Sequence, residues 1–229
     1  MRDNNSGMTL MLAWRNQAKR GALSSFASSL CQIKQRNNPV GTIRHSVSAV
    51  LISALAACGY VPVTSMLKLS AIDFRVTDPR ALRAAVELPK AMLPRRVVLR
   101  FIGRINNGPD QTEEFDLEEI NDPTVADVGS VKADRRISAY RLTSADANRL
   151  TAFRSSLFRQ KAEQGGRGEV NLEVRTEGCR AGPFASGPVL ATTYIKTSET
   201  GTYVPLMRNF DLRTIDPKRD LVETAPQCQ

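Results

Sequence analysis

The carboxylates are the side chains of this chain best placed to do chemistry. Glu114, Asp116 and Glu118 stand at alternate positions, and Glu173 and Glu177 stand four apart. A spacing of two puts side chains on one face of an extended strand, and two acids in unequal environments are sufficient for glycoside hydrolysis. A hydrolytic centre would therefore be sought in the 114–119 group or at Glu173 and Glu177. A second pattern competes with that use. Arg96, Arg100 and Arg104 recur every four residues just upstream, so a hairpin between the two segments sets guanidinium groups against carboxylates as cross-strand ion pairs, each contributing ~0.2–1 kcal/mol. Hard cations draw oxygen ligands from turning loops rather than from a flat strand face. The ion-paired arrangement is the one the pattern favours.

The rest of the inventory is narrow. The only histidine is His45, near the N-terminal end, so beyond it there is no imidazole for general-base work, for a metal, or for a Ser-His or Cys-His nucleophile. Gly165-Gly166-Arg167-Gly168 has the composition of a phosphate loop, but it follows a helical pattern and precedes a strand pattern, the reverse of an anion site at a helix start. No catalytic residue, cofactor or metal ligand is assigned on these grounds.

Residues 46–57 (SVSAVLISALAA) form an apolar run of 12 residues behind Arg36 and Arg44, in a stretch without an acid between Asp3 and Asp73. A hydrocarbon layer needs about 20 residues to cross, whereas a signal core takes ~7–15. The run ends in Leu55-Ala56-Ala57-Cys58, which resembles the lipobox of bacterial lipoproteins, where the chain is cut before the cysteine and the cysteine carries lipid. The resemblance covers this segment alone. It implies that residues 1–57 are removed, that Cys58 is lipidated and becomes the mature N-terminus, and that the domain faces the periplasm with membrane lipid as a partner through its acyl anchor. In that family an aspartate after the cysteine marks inner-membrane retention in enteric bacteria. Gly59 stands there instead, which points to the outer membrane. The competing reading is a buried helix that ends in Ala-Ala-Cys by coincidence.

Residues 1–45 make a long approach to a signal. Translation starting later, near Val40 or Ile43, would make them an artefact, while the Ser-rich, basic stretch 14–36 has the composition of an organelle transit peptide. The small residues that close the core before Cys58 favour the later start.

Divided at Cys58, the charge changes meaning. The whole chain carries +9, but Arg2, Arg15, Lys19, Arg20, Lys34, Arg36 and Arg44 against Asp3 give +6 to the upstream part and leave +3 to the rest. Most of the basicity leaves with the signal, and nucleic acid is not an expected partner. An envelope protein or polysaccharide is. With Cys31 upstream of the signal and Cys58 taken as the lipid acceptor, Cys179 and Cys228 remain, and in an oxidising compartment the lipobox reading makes them a disulfide.

Residues 58–66 read as a short membrane-proximal leader and 67–229 as a single α+β domain. Leu67, Leu69, Ile72, Phe74 and Val76 predict a first strand, and Asp78-Pro79 predicts a helix start with Leu82, Ala85 and Val86 on one face, ended by Pro89. Residues 95–105 and 114–120 predict a hairpin turning at 106–110, with 121–134 irregular and 137–142 another strand. Thr143 with Asp146 predicts the start of a helix over 144–164, with Ala147, Leu150, Phe153 and Leu157 as its apolar stripe and Gly165-Gly166 as its stop. Strand patterns follow at 170–174, 189–195, 202–207 and 210–215. The expected order is β-α-β-β-β-α-β-β-β, an antiparallel sheet packed against two helices.

Overall fold

The computed structural model describes residues 14–17, 63–129, 131–216 and 220–229. The apolar core 46–57, Cys58 and Gly59 lie outside the described residues. Nine strands, two α-helices and two short 3-10 helices are described: β1 (Trp14–Gln17), α1 (Val63–Leu69), β2 (Arg83–Pro89), β3 (Met92–Ile105), β4 (Gln111–Asp116), β5 (Glu118–Ile120), a 3-10 turn (Pro123–Val128), β6 (Arg135–Arg141), α2 (Ser144–Gln164), β7 (Gly168–Arg180), β8 (Leu190–Lys196), β9 (Val204–Asp211) and a second 3-10 turn (Leu212–Thr214). The strands form two antiparallel sheets, β1-β7-β3-β4 and β5-β6-β2-β8-β9. The fold class is the expected one, α+β with antiparallel pairing and helices packed against it.

One core serves both sheets. Val97, Leu99 and Phe101 of β3, Phe115 of β4 and Leu172 and Val174 of β7 meet Ala84, Val86 and Leu88 of β2 and Ala191 and Ile195 of β8. From β2 onward the chain passes between the sheets four times: through the turn after Pro89, at Leu117, whose amide donates to the Val97 carbonyl at 2.8 Å, through α2, and between β7 and β8. α2 lies over the first sheet with Ala147, Leu150 and Leu157 buried, and Phe153 meets Phe101 edge to face, with ring centres 5.9 Å apart. Gly103 makes that approach possible. A Cβ there would stand 2.3 Å from Leu157 Cδ1 and 2.9 Å from Cδ2, closer than any packed carbon pair.

The ends of α2 follow the sequence. Thr143 Oγ1 accepts the Asp146 amide at 3.1 Å and donates to the Asp146 carboxylate at 2.9 Å, satisfying a helix-start N–H that has no partner within the helix. At the other end Gly165 and Gly166 take φ of 66° and 87°, and the hairpin tip reaches over. Asn106 accepts the Arg167 amide at 2.9 Å and donates to the Gly165 carbonyl at 3.2 Å.

Three expectations are corrected. The segment 67–76 is not a strand: it is the end of α1 followed by turns, because the residues that enter the core are Leu69, Ile72 and Phe74, with Ser65 buried one helical turn before Leu69. Leu67 points to solvent. The segment after Asp78-Pro79 is not a helix. Ala84, Val86 and Leu88 face the main core while Ala85 faces a second cluster on the other side of the sheet, so a strand buried on both faces reads as an unbroken apolar run with no clear period. Asp78 accepts the Arg80 amide at 2.9 Å and closes a turn. Lastly, 202–207 and 210–215 are not two strands, since β9 runs through to Asp211 and the 3-10 turn follows. The segment 121–134 is irregular as expected, apart from its 3-10 turn.

Candidate functional site

The outer face of the first sheet carries the alternating charges. Register sets Arg100 of β3 between Glu114 of β4 and Glu173 of β7, and its guanidinium lies 3.3 Å from each carboxylate. Arg175 joins them at 3.2 Å from Glu173 and 3.8 Å from Glu114. Arg96 holds Asp116 at 2.6 Å and Glu177 at 3.3 Å, and Arg104 holds Asp110 at 2.6 Å. The expected pairing of arginines with carboxylates is thus present, and it extends across three strands instead of two. Glu173 and Glu177 are not a separate acid pair, because Arg100 and Arg175 take up the first and Arg96 the second. Glu118 is corrected: it belongs to β5 in the other sheet and pairs with Arg141 of β6. With a cation on each carboxylate, the arrangement neutralises charge and fixes strand register.

A second polar cluster lies under the 3-10 turn on the far face of the second sheet. Glu87 sits in the central strand β2, with β6 on one side and β8 on the other. From β6, Arg135 places Nη1 2.7 Å from Glu87 Oε1, with the two side chains 8% and 10% exposed. From β8, the Tyr194 hydroxyl donates to Glu87 Oε2 at 2.8 Å. Arg135 also donates to the Leu190 carbonyl. Burial, and then the Glu87 carboxylate, push the Tyr194 phenol well above its usual range. Sequence reasoning missed this cluster. Its one signal is Glu87, a lone carboxylate inside the run Ala84-Ala85-Val86-Glu87-Leu88.

Next to it the 3-10 turn is fastened down. Asp122 accepts from the Thr124 amide at 3.0 Å and from the Tyr203 hydroxyl at 2.9 Å, while Lys196 Nζ donates to Thr124 Oγ1 at 2.7 Å and stands over the Tyr203 ring. Burial raises the Asp122 carboxyl, but the Thr124 hydrogen bonds, Tyr203 and the Lys196 charge outweigh it and hold the group below its usual range. Val125 and Val128 of the turn pack on Ala85, Ala139, Tyr194 and Tyr203. Both polar clusters are therefore interior fastenings.

Cys179 and Cys228 form a disulfide, with their Cα atoms 5.0 Å apart. Around it the tail adds backbone bonds: Arg180 N donates to Pro226 O at 2.7 Å and Cys228 N to Arg180 O at 2.9 Å. Val222 is fully buried and Ala225 nearly so, so the tail is part of the core's cover.

No family model, curated protein or solved structure matches this chain. Among the described residues no group of three or more His, Cys, Asp or Glu side chains is arranged to hold a metal ion, and no helix is long and apolar enough to cross a membrane.

Proposed function

We propose that this chain is a cell-envelope lipoprotein, anchored by acyl chains on Cys58, whose domain works by binding an envelope protein or polysaccharide close to the membrane rather than by catalysis. The observation that carries the reading is the short apolar core 46–57 ending in Leu55-Ala56-Ala57-Cys58. Further observations support it. A disulfide between Cys179 and Cys228 suits a domain that matures in an oxidising compartment. The carboxylates best spaced for hydrolysis, Glu114, Asp116, Glu173 and Glu177, are each held by an arginine, which favours a binding role over acid/base work. The +3 charge of residues 58–229 suits a mildly basic surface near anionic lipid, and Gly59 favours the outer membrane.

Cleavage before Cys58 has a structural consequence. It removes β1, which pairs with β7 from Glu169 to Leu172, and leaves β7 as the outer strand of its sheet, an edge on which a partner's strand can add. Acyl chains anchor through ~0.8 kcal/mol per buried CH₂. Cys58→Ser should abolish palmitate labelling and leave an unprocessed precursor. Mass spectrometry of membrane-derived protein that finds Met1, or an unmodified terminus elsewhere, overturns the reading. A purified protein that cleaves a glycan or ester and loses that activity on one Asp or Glu substitution overturns the binding role.

A further inference from the structure

The large apolar side chains left in solvent lie close together in the chain. Among the described residues they are Met66, 52% exposed, Leu67, 75%, and Val76, 73%. α1 explains the first two. It turns Ser65 and Leu69 inward, and at 100° per residue this puts Leu67 on the opposite side, flanked by Met66 and Lys68. Ser70 fastens the helix end, its amide donating to Met66 O at 2.9 Å and its hydroxyl to Leu67 O at 2.8 Å.

Val76 is exposed in a turn that is held on every side. Its amide and the Thr77 hydroxyl donate to Asp73 O, each at 2.9 Å. Arg75 Nε grips the Asp73 carboxylate at 2.9 and 3.0 Å. From α2, Arg154 donates to Phe74 O at 3.1 Å and also to Thr77 O. Phe74 and Thr77 are buried on either side of it. A turn fixed this firmly presents a bare valine to the outside, with the Arg75 side chain exposed beside it.

We propose that Met66, Leu67 and Val76 form a foot by which the domain rests in the interfacial layer of the lipid bilayer. The inference rests on the reading of Cys58 as the lipid-bearing terminus. From Cys58 to Val63, the first residue of α1, is five residues, a reach of at most ~18 Å, so α1 is the first folded element the tether delivers to the surface. Apolar side chains with a cation beside them, here Lys68, match the interfacial environment: the apolar groups enter the acyl boundary while the ammonium reaches lipid phosphates. With a reach of at most ~18 Å, the tether leaves little room for a folded partner between this face and the bilayer.

The test uses the full-length protein, matured in cells and reconstituted into vesicles of phosphatidylethanolamine and phosphatidylglycerol with or without brominated acyl chains. The only tryptophan of the chain is Trp14, upstream of the cleavage point, and Trp14→Phe silences any uncut precursor. Leu67→Trp and Val76→Trp are then made singly. Asp127→Trp, on the 3-10 turn over the far face of the second sheet, is the control. Palmitate on Cys58 is measured on the same preparations, and protection of Cys179 and Cys228 from alkylation confirms folding. Blue-shifted emission quenched by the bromolipid in the Leu67→Trp and Val76→Trp variants, and absent in Asp127→Trp, is the expected result. Labelled protein in which either foot position stays unquenched, or in which all three are quenched alike, overturns the foot and leaves the anchor standing. Protein without palmitate overturns the anchor and the foot with it.

Discussion

Arg135→Met would leave the Glu87 carboxylate in the interior with the Tyr194 hydroxyl in place of a countercharge. Both side chains of the pair are at most 10% exposed, so water cannot replace the lost guanidinium without entering the packed face beneath Val125 and Val128. Breaking a buried ion pair from one side costs about 3–5 kcal/mol. For a domain of this size each kcal/mol moves Tm by about 2–4 °C, so the expected fall is roughly 6–20 °C, with a matching drop in the urea midpoint at unchanged slope. The informative partner is the variant Glu87→Leu, Arg135→Met, Tyr194→Phe, which removes the carboxylate, its cation and its hydrogen-bond donor together. Replacing a whole buried pair by apolar groups is often neutral or stabilising, and this variant should recover most of the loss. Equilibrium unfolding of wild type, Arg135→Met and the triple variant decides it. A loss below ~1 kcal/mol in Arg135→Met would mean the pair behaves like a surface salt bridge. A triple variant as unstable as Arg135→Met would mean that lost packing, not an unpaired charge, sets the cost. Either result refutes the reasoning.

Reducing the Cys179–Cys228 disulfide, which spans 49 residues, should cost ~4 kcal/mol from loop entropy less any native strain, read as a lower urea midpoint in reductant and as early loss of amide protection around Val222. Gly103→Ala should destabilise by about 1–3 kcal/mol through overpacking against Leu157, and Leu157→Ala in the same chain should cost less than the sum of the two single changes, a coupling measured by a double-mutant cycle. Burial raises Tyr140 to about 12 and lifts Tyr194 and Tyr203 further. Because these folded-state values exceed the unfolded value of ~10, stability is fully present below pH ~10 and is lost as pH rises toward and past about 12. Tyrosinate absorbance in the folded protein should lag that of the denatured chain across this window, and coincident titration curves would count against the burial described.

Where a segment's periodicity and its end signals agree, the sequence alone determined the element. α2 was legible from Thr143, Asp146, the stripe Ala147, Leu150, Phe153 and Leu157, and the two glycines after it, because an amphipathic helix declares both its face and its ends. The hairpin of β3 and β4, with arginines opposite carboxylates, was legible because strand alternation fixes which side chains share a face. The Cys179–Cys228 pair followed from the lipobox resemblance together with the cysteine inventory.

Tertiary structure decided the rest, for identifiable reasons. Residues 67–88 came out with helix and strand exchanged, because α1 is only seven residues long and β2 is buried on both faces, so neither gives a readable period. At Leu117 the chain leaves one sheet for the other and carries Glu118 to Arg141 instead of to the arginines of β3. Glu87, Arg135 and Tyr194 are 48 and 59 residues apart in sequence and come together only because β6 and β8 flank β2. Local sequence sets which way a side chain points, whereas the partner it meets depends on strand order, which is a property of the whole packed chain.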